Sequence, residues 1–209
     1  MTDIRPYAAG DLESLYAISL ATGLTGGDAS HLHADPKLIG HIYSAPYACL
    51  DPALALVVDD RFGVAGYAVG AVDTEAWEAR LERDWWPALR GRYADPAETD
   101  PEARTADQRR AFIIHHPGRT PRAVLEDHPA HLHMNLLPRQ QRRGVGTALL
   151  EAWLELAAAR GARGVHVGVN HANDRALSFW GARGFAPLKP ETAEASRTIW
   201  MGRRLERSV

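Results

Sequence analysis

Lysine is nearly missing from this chain. Of 24 basic residues only Lys37 and Lys189 are lysines. Neither sign of charge is in excess: 26 acidic residues leave a formal net charge of −2. That excludes a broad electrostatic grip on nucleic acid or on an anionic membrane surface. Cysteine is as scarce. Cys49 stands alone and has no internal partner, which excludes a disulfide scaffold and predicts a reducing, cytoplasmic setting. No apolar run approaches the length of a membrane span, and residues 1–6 carry no apolar leader. Internal repeats and low-complexity linkers are absent. Two common phosphate motifs are missing too. There is no G-x-x-x-x-G-K-[ST], and the dinucleotide pattern G-x-G-x-x-[GA] fails because Leu149 stands where its last small residue belongs.

What is there is an ordinary globular composition. The 209 residues are 45% hydrophobic and 24% charged, enough for one or two domains with a sizeable core. Residues 4–5 predict a short edge strand ended by Pro6. Leu12, Leu15, Tyr16 and Leu20 recur at helical spacing, and the glycines of 24–28 predict a loop. A second helix starts at Asp35-Pro36, with Pro36 suited to its first turn. Residues 54–58 and 64–72 form a hairpin across a 59–63 turn. Residues 74–127 differ in character: a helix over 75–93 with Trp85-Trp86, an acidic, proline-bearing loop over 94–107, then a helix over 106–116. After it come a strand over 130–137, a basic turn over 139–143, and a helix through Val145, Leu149, Trp153 and Leu156 that ends at Gly161. A strand over 165–169 leads to a helix capped by Asn173 and ended at Gly184, and two strands close the chain near 185–188 and 198–205. The order β-α-α-β-β, insertion, β-α-β-α-β-β predicts a mixed α/β (α+β) fold with one central sheet.

The segment that carries chemistry is Leu136-Leu137-Pro138-Arg139-Gln140-Gln141-Arg142-Arg143-Gly144-Val145-Gly146-Thr147. A strand runs into a turn of arginines and glycines that opens a long helix. Helix N-termini present unpaired N–H groups and a positive dipole end. Glycines admit a phosphate close to the backbone, and arginines add charge. The pattern Q-x-x-G-x-G from Gln141 to Gly146 suits a pyrophosphate. Its plainer alternative is a glycine-bearing turn before a core helix.

That hexapeptide resembles the acyl-CoA pyrophosphate signature of the GNAT superfamily of N-acetyltransferases. Asn173-Asp174-Arg175-Ala176-Leu177-Ser178-Phe179-Trp180, followed by Gly184-Phe185, resembles the family's N-x-x-A-x-x-F-Y and G-F. Ile4-Arg5-Pro6 with Asp11-Leu12 resembles its first strand and helix. The resemblance spans nearly the whole chain except 74–127. Within the family, Asp84-Trp85-Trp86-Pro87-Ala88-Leu89, Pro129-Ala130-His131-Leu132-His133 and residues 40–47 look like the bacterial relatives of the acetyltransferase-like domain of eukaryotic O-GlcNAc hydrolase.

The resemblance implies a GNAT fold over 1–209 as a single domain, with 74–127 as a helical insertion between the third and fourth strands; Trp77, Trp85, Trp86 and Tyr93 at helical intervals are most simply core anchors that pack it on the sheet, and a substrate wall or lid is its functional alternative. It implies acetyl-CoA as acetyl donor, lying where two parallel strands around Met134 and Val167 splay apart. Backbone N–H groups of Arg142, Arg143, Gly144, Val145, Gly146 and Thr147 then hold the pyrophosphate, together with Gln141. Leu136 and Leu137 pair with the pantetheine amides, and the N–H of Met134 or Leu136 faces the thioester carbonyl. Asn173, Ala176 and Trp180 line the thiol end. Trp180 stands where the family often has a tyrosine that protonates the departing thiolate, and an indole N–H does not act as an acid at neutral pH.

His131 and His133, alternating with Asn135 on one strand, are the candidate bases. The alternative that both are buried structural hydrogen-bonders stays open. As a zinc pair they lack a third ligand, so no metal is assigned. Asp28, Tyr43 and Tyr47 are candidates for the substrate wall. The expected activity is acetyl transfer to a primary amine, either a small molecule or a protein lysine, with no nucleic acid or membrane partner and no sequence signature of oligomeric state. The alternative is an acetyl-CoA-binding sensor or interaction module without turnover.

Overall fold

A computed structural model describes residues 2–189 and 197–205. Seven strands form one sheet in the order β1-β2-β3-β4-β5-β7-β6. They are β1 (Asp3–Pro6), β2 (Ala55–Asp60), β3 (Gly63–Ala71), β4 (Ala130–Leu136), β5 (Gly164–Asn170), β6 (Ala186–Leu188) and β7 (Thr198–Arg204). Every neighbouring pair is antiparallel except β4 and β5. This is the mixed sheet expected from the element order.

Helices cover both faces. Because strand side chains alternate, β4 sends Ala130, Leu132, Met134 and Leu136 to one core and its histidines to the other side. The first core packs α8 (Val145–Ala159) and α9 (Asp174–Gly181) on the sheet. Leu149, Leu150, Trp153, Leu154 and Ala157 of α8 are buried, and the Trp153 indole N–H donates to Leu54 O at 2.9 Å. The second core sits under α1 (Leu12–Ala21), α2 (Leu38–Tyr43), α3 (Ala45–Leu50), α4 (Thr74–Asp84), α5 (Trp86–Arg92) and α6 (Ala106–His115). The short α7 (Arg122–Leu125) leads back to β4. Among the described residues no helix is long and apolar enough to cross a membrane.

Three local expectations are corrected. The 75–93 helix is two helices that break at Trp85 (φ −121°, ψ −56°). Pro87 has no N–H to continue the ladder, and its ring clashes with the carbonyl four residues back. The last helix ends at Gly181 rather than Gly184. Residues 45–50 and 122–125, which carry no clear periodicity, add α3 and α7.

Candidate active site

β4 and β5 pair only at Ala130–Val165 and His131–His166, then part. Beyond that point, among the described residues, the edge of β4 that faces β5 has no strand partner. The Leu137 N–H donates to Ala65 O of β3 at 2.8 Å. By the two-residue alternation of a ladder, the N–H groups of Met134 and Leu136 therefore face the gap. A slot of about 190 Å³ opens there, lined by Met134, Leu136, Gly146, Asn173, Ala176 and Trp180.

At one end of the slot α8 begins. Gly144 is its N-cap in the left-handed region (φ 79°), and Arg142 two residues earlier is also left-handed (φ 59°). The Gln141 N–H bonds Pro138 O and the Ala148 N–H bonds Gly144 O. Among the described residues the N–H groups between them, 142–147, have no acceptor. Such a turn is an anion cradle. A Cβ on Gly146 would stand 3.3 Å from Leu136 Cδ1 and 3.4 Å from Phe179 Cε2, so a side chain there narrows the slot. Cations ring this end. Arg175 donates to Gln141 Oε1, and Arg183 donates to Thr147 Oγ1 at 2.6 Å. Gln141 Nε2 donates to Leu136 O at 2.7 Å, tying the turn to the end of β4. At the other end Asn173 caps α9 by accepting the Ala176 N–H at 3.0 Å, and Trp180 is buried with its ring edge-on to Phe179 and Phe185.

The opposite face of β4 carries the histidines, and their surroundings separate them. Thr74 Oγ1 donates its proton to Pro129 O at 2.7 Å, so it accepts from His131 Nδ1 at 2.6 Å. His131 Nε2 then accepts the Tyr47 hydroxyl at 2.7 Å. Both ring nitrogens are occupied, and burial beside His133 and His166 pushes this imidazole well below its ordinary range. His133 makes ring contacts with Tyr43, Tyr47 and His131 but no hydrogen bond among the described residues. Burial pushes it down to about 4, so it is neutral at pH 7. It stands at the floor of a second cavity of about 160 Å³ with Tyr43, Ile42, Leu81, Trp86 and Ile113.

The slot therefore gathers Met134, Leu136, Gln141, Gly146, Asn173, Ala176 and Trp180, while the second cavity gathers His133 and Tyr43. Several expected residues stand elsewhere. Leu137 spends its N–H on β3 and packs with the core on the histidine side, so it cannot pair with anything in the gap. Tyr47 is a core residue, stacked on Trp77 at 4.6 Å and bonded to His131, not a substrate wall. Asp28 is exposed and is spent within its own loop, accepting the Ser30 N–H and hydroxyl. Arg142 and Arg143 have exposed side chains and Val145 packs on the core, so none of the three side chains lines the slot and their backbone N–H groups are what they bring to the turn. Sequence reasoning missed Thr22, Thr25, Gly26, Asn135, Arg175 and Phe179 of the slot. The glycine cluster 23–27 was the available signal for the first three.

The family model for the acetyltransferase (GNAT) family matches residues 35–185. The chain belongs to that family, and so to the acyltransferases. The crystal structure of SsHAT superposes with a TM-score of 0.88 at 33% identity, covering 97% of this chain and 98% of that one. A GNAT superfamily phosphinothricin acetyltransferase from Sinorhizobium meliloti, solved with AcCoA, shares the fold at a TM-score of 0.57 and 17% identity, covering 98% and 88%. Protein O-GlcNAcase of Rattus norvegicus is 24% identical over 202 residues, 97% of this chain and 22% of that protein. The chain thus spans about a fifth of the length of the curated relatives it matches.

Proposed function

We propose that this chain is an acetyl-CoA-dependent N-acetyltransferase acting by direct attack of a primary amine on the thioester. The observation that carries the reading is the parting of β4 from β5, which leaves strand-edge amides facing a slot that ends on the unpaired amides of 142–147. The donor is acetyl-CoA, which supplies an acetyl group on a thiolate leaving group. The amides of 142–147 hold its pyrophosphate, with Arg175 and Arg183 adding charge. Met134 and Leu136 present N–H groups to the pantetheine arm. Whichever of these amides meets the thioester carbonyl stabilises the charge that its oxygen gains.

His133 takes a proton from the amine. It is neutral, unpartnered and next in sequence to Met134, whereas His131 has no free lone pair. As the N–C bond forms and the C–S bond breaks, the sulfur leaves with the bonding pair and is protonated to free thiol. Trp180 packs against the thiol end and donates no proton to sulfur. A CoA thiolate is stable enough to leave without a dedicated acid. Residues 1–209 act as one acetyltransferase unit, with 74–127 walling the acceptor side, and the lone Cys49 suits a cytoplasmic setting.

The tryptophan at 180 favours one second reading, an acetyl-CoA-binding module without turnover. Purified protein with acetyl-CoA and a panel of amines separates the two. Release of thiol in step with acetylated amine supports the enzyme. Tight acetyl-CoA binding with no release for any amine supports the sensor.

A further inference from the structure

The second cavity is built largely by the insertion. Leu81 comes from α4, Trp86 from α5 and Ile113 from α6, while Ile42 and Tyr43 come from α2. Its walls are apolar, and His133 at the floor is a polar group with no hydrogen bond of its own. The charges at its rim are already matched. Glu82 accepts from Arg90 Nη1 at 2.6 Å and Nη2 at 3.0 Å. Glu78 accepts the Thr120 N–H at 3.0 Å and its hydroxyl at 2.9 Å, and Arg119 Nη1 stands 3.4 Å from its other oxygen. Each rim carboxylate thus already has an arginine beside it, and the rim arginine is turned toward Glu78.

Two features connect this cavity to the transfer site. Asn135 lines the slot and lies on the same face of β4 as His133, two residues or about 7 Å away along the strand. His133 also adjoins Met134, whose N–H faces the gap. An acceptor seated in the cavity with its nitrogen on His133 has its body among Ile42, Leu81, Trp86 and Ile113, and the gap beyond it. A polyamine, an amino sugar or a lysyl peptide would bring further charges, hydroxyls or amides that must compete with Arg90, Arg119 and Thr120 for Glu82 and Glu78 or lie unpaired against Ile42, Leu81, Trp86 and Ile113, which is costly. An apolar body gains from the same walls.

We infer that this cavity is the acceptor site and that it selects compact primary monoamines with an apolar body. This rests on the transferase reading above. The test compares phenethylamine and isoamylamine with spermidine, glucosamine and a lysyl peptide, measuring thiol release and amine acetylation by the full chain. The expected result is a kcat/KM for the apolar amines at least about tenfold above the others, the scale on which apolar pockets discriminate. Two variants narrow the cavity: Ile113→Trp from its wall, and Gly118→Phe at its lining, where a Cβ meets nothing within 4 Å. Each should raise KM for phenethylamine by about tenfold and leave acetyl-CoA affinity unchanged. A higher kcat/KM for any of the three polar acceptors overturns the inference and leaves the transferase reading intact, as does an unchanged KM in both folded variants. If acetyl-CoA binds and no acceptor is acetylated, the transferase reading fails instead, and the cavity is judged by calorimetry. Saturable phenethylamine binding weakened by Gly118→Phe upholds the cavity as a site for apolar monoamines and strikes only its place as acceptor site, and no binding overturns the inference entirely.

Discussion

The two faces of β4 solve different problems with different parts of the residue. On the α8 face and along the open edge the proposed recognition belongs to the backbone: among the described residues the amides at Met134, Leu136 and 142–147 are unpaired, with a left-handed glycine at 144 and, at 146, a glycine where bulk would intrude. On the histidine face it belongs to side chains, and a single hydrogen bond decides their use. His131 and His133 have the same chemistry on the same strand, yet one has both nitrogens filled and the other, among the described residues, has no hydrogen bond. A backbone cradle tolerates variation at most of its positions and is ruined by a few. A side-chain site depends on each neighbour that orders it.

The sharpest way to break this comparison is at Gly146. Gly146→Glu puts bulk between Leu136 and Phe179 and negative charge beside the proposed pyrophosphate cradle. Acetyl-CoA binding should be lost by calorimetry with the fold intact by circular dichroism. Retained affinity would remove the cradle from the account.

The next test exchanges the two histidines. His133→Gln should lower turnover by about 100- to 10,000-fold, the range for a lost general base, with acetyl-CoA affinity nearly unchanged. His131→Gln should act mainly on stability. Equal turnover losses in both variants at equal stability would erase the distinction between them.

Acid should act on the histidine face first. His131, His133 and His166 are all held below their ordinary range by burial, the last two to about 4. The unfolded chain, with histidines near about 6.5, binds protons that the fold refuses. Stability is therefore full above about 6.5 and falls as pH drops toward about 4, by up to about 1.4 kcal/mol per pH unit for each histidine. Urea midpoints at pH 7 and pH 5 measure it, and equal midpoints would contradict the burial of uncharged imidazoles.

Tyr47→Phe takes the donor from His131 Nε2. Leaving that nitrogen unsatisfied in the core should cost about 1–3 kcal/mol, read as a lower denaturation midpoint, and acetyl-CoA affinity should not move. The smallest effect is expected at Trp180. Trp180→Tyr should keep acetyl-CoA binding and leave turnover equal or higher, because a phenol adds a proton donor at the thiol end. A large loss of turnover at unchanged binding and stability would give the indole a function that packing does not supply.

Much of the donor side was legible in the chain. Gly144 and Gly146 mark the candidate cradle because glycine suits the left-handed cap at 144 and the narrow slot at 146, and Asn173 marks a helix start because its side chain can accept the Ala176 N–H. These are local properties, and local sequence carries them. The order of elements along the chain and the apolar face of each followed from the spacing of apolar residues, as at Leu149 and Trp153, whereas the order of strands in the sheet came only with the structure. The acceptor side was illegible for the opposite reason. That Leu137 turns its N–H to Ala65 depends on strand register. That His131 is filled depends on Tyr47 and Thr74, 84 and 57 residues away along the chain, and that His133 is bare depends on four helices which happen to place no partner beside it. Sequence alone determined where the backbone could turn and which face of each element was apolar. Only the tertiary structure decided which of two like side chains was left without a hydrogen bond, because that is settled by distances between residues remote in the chain.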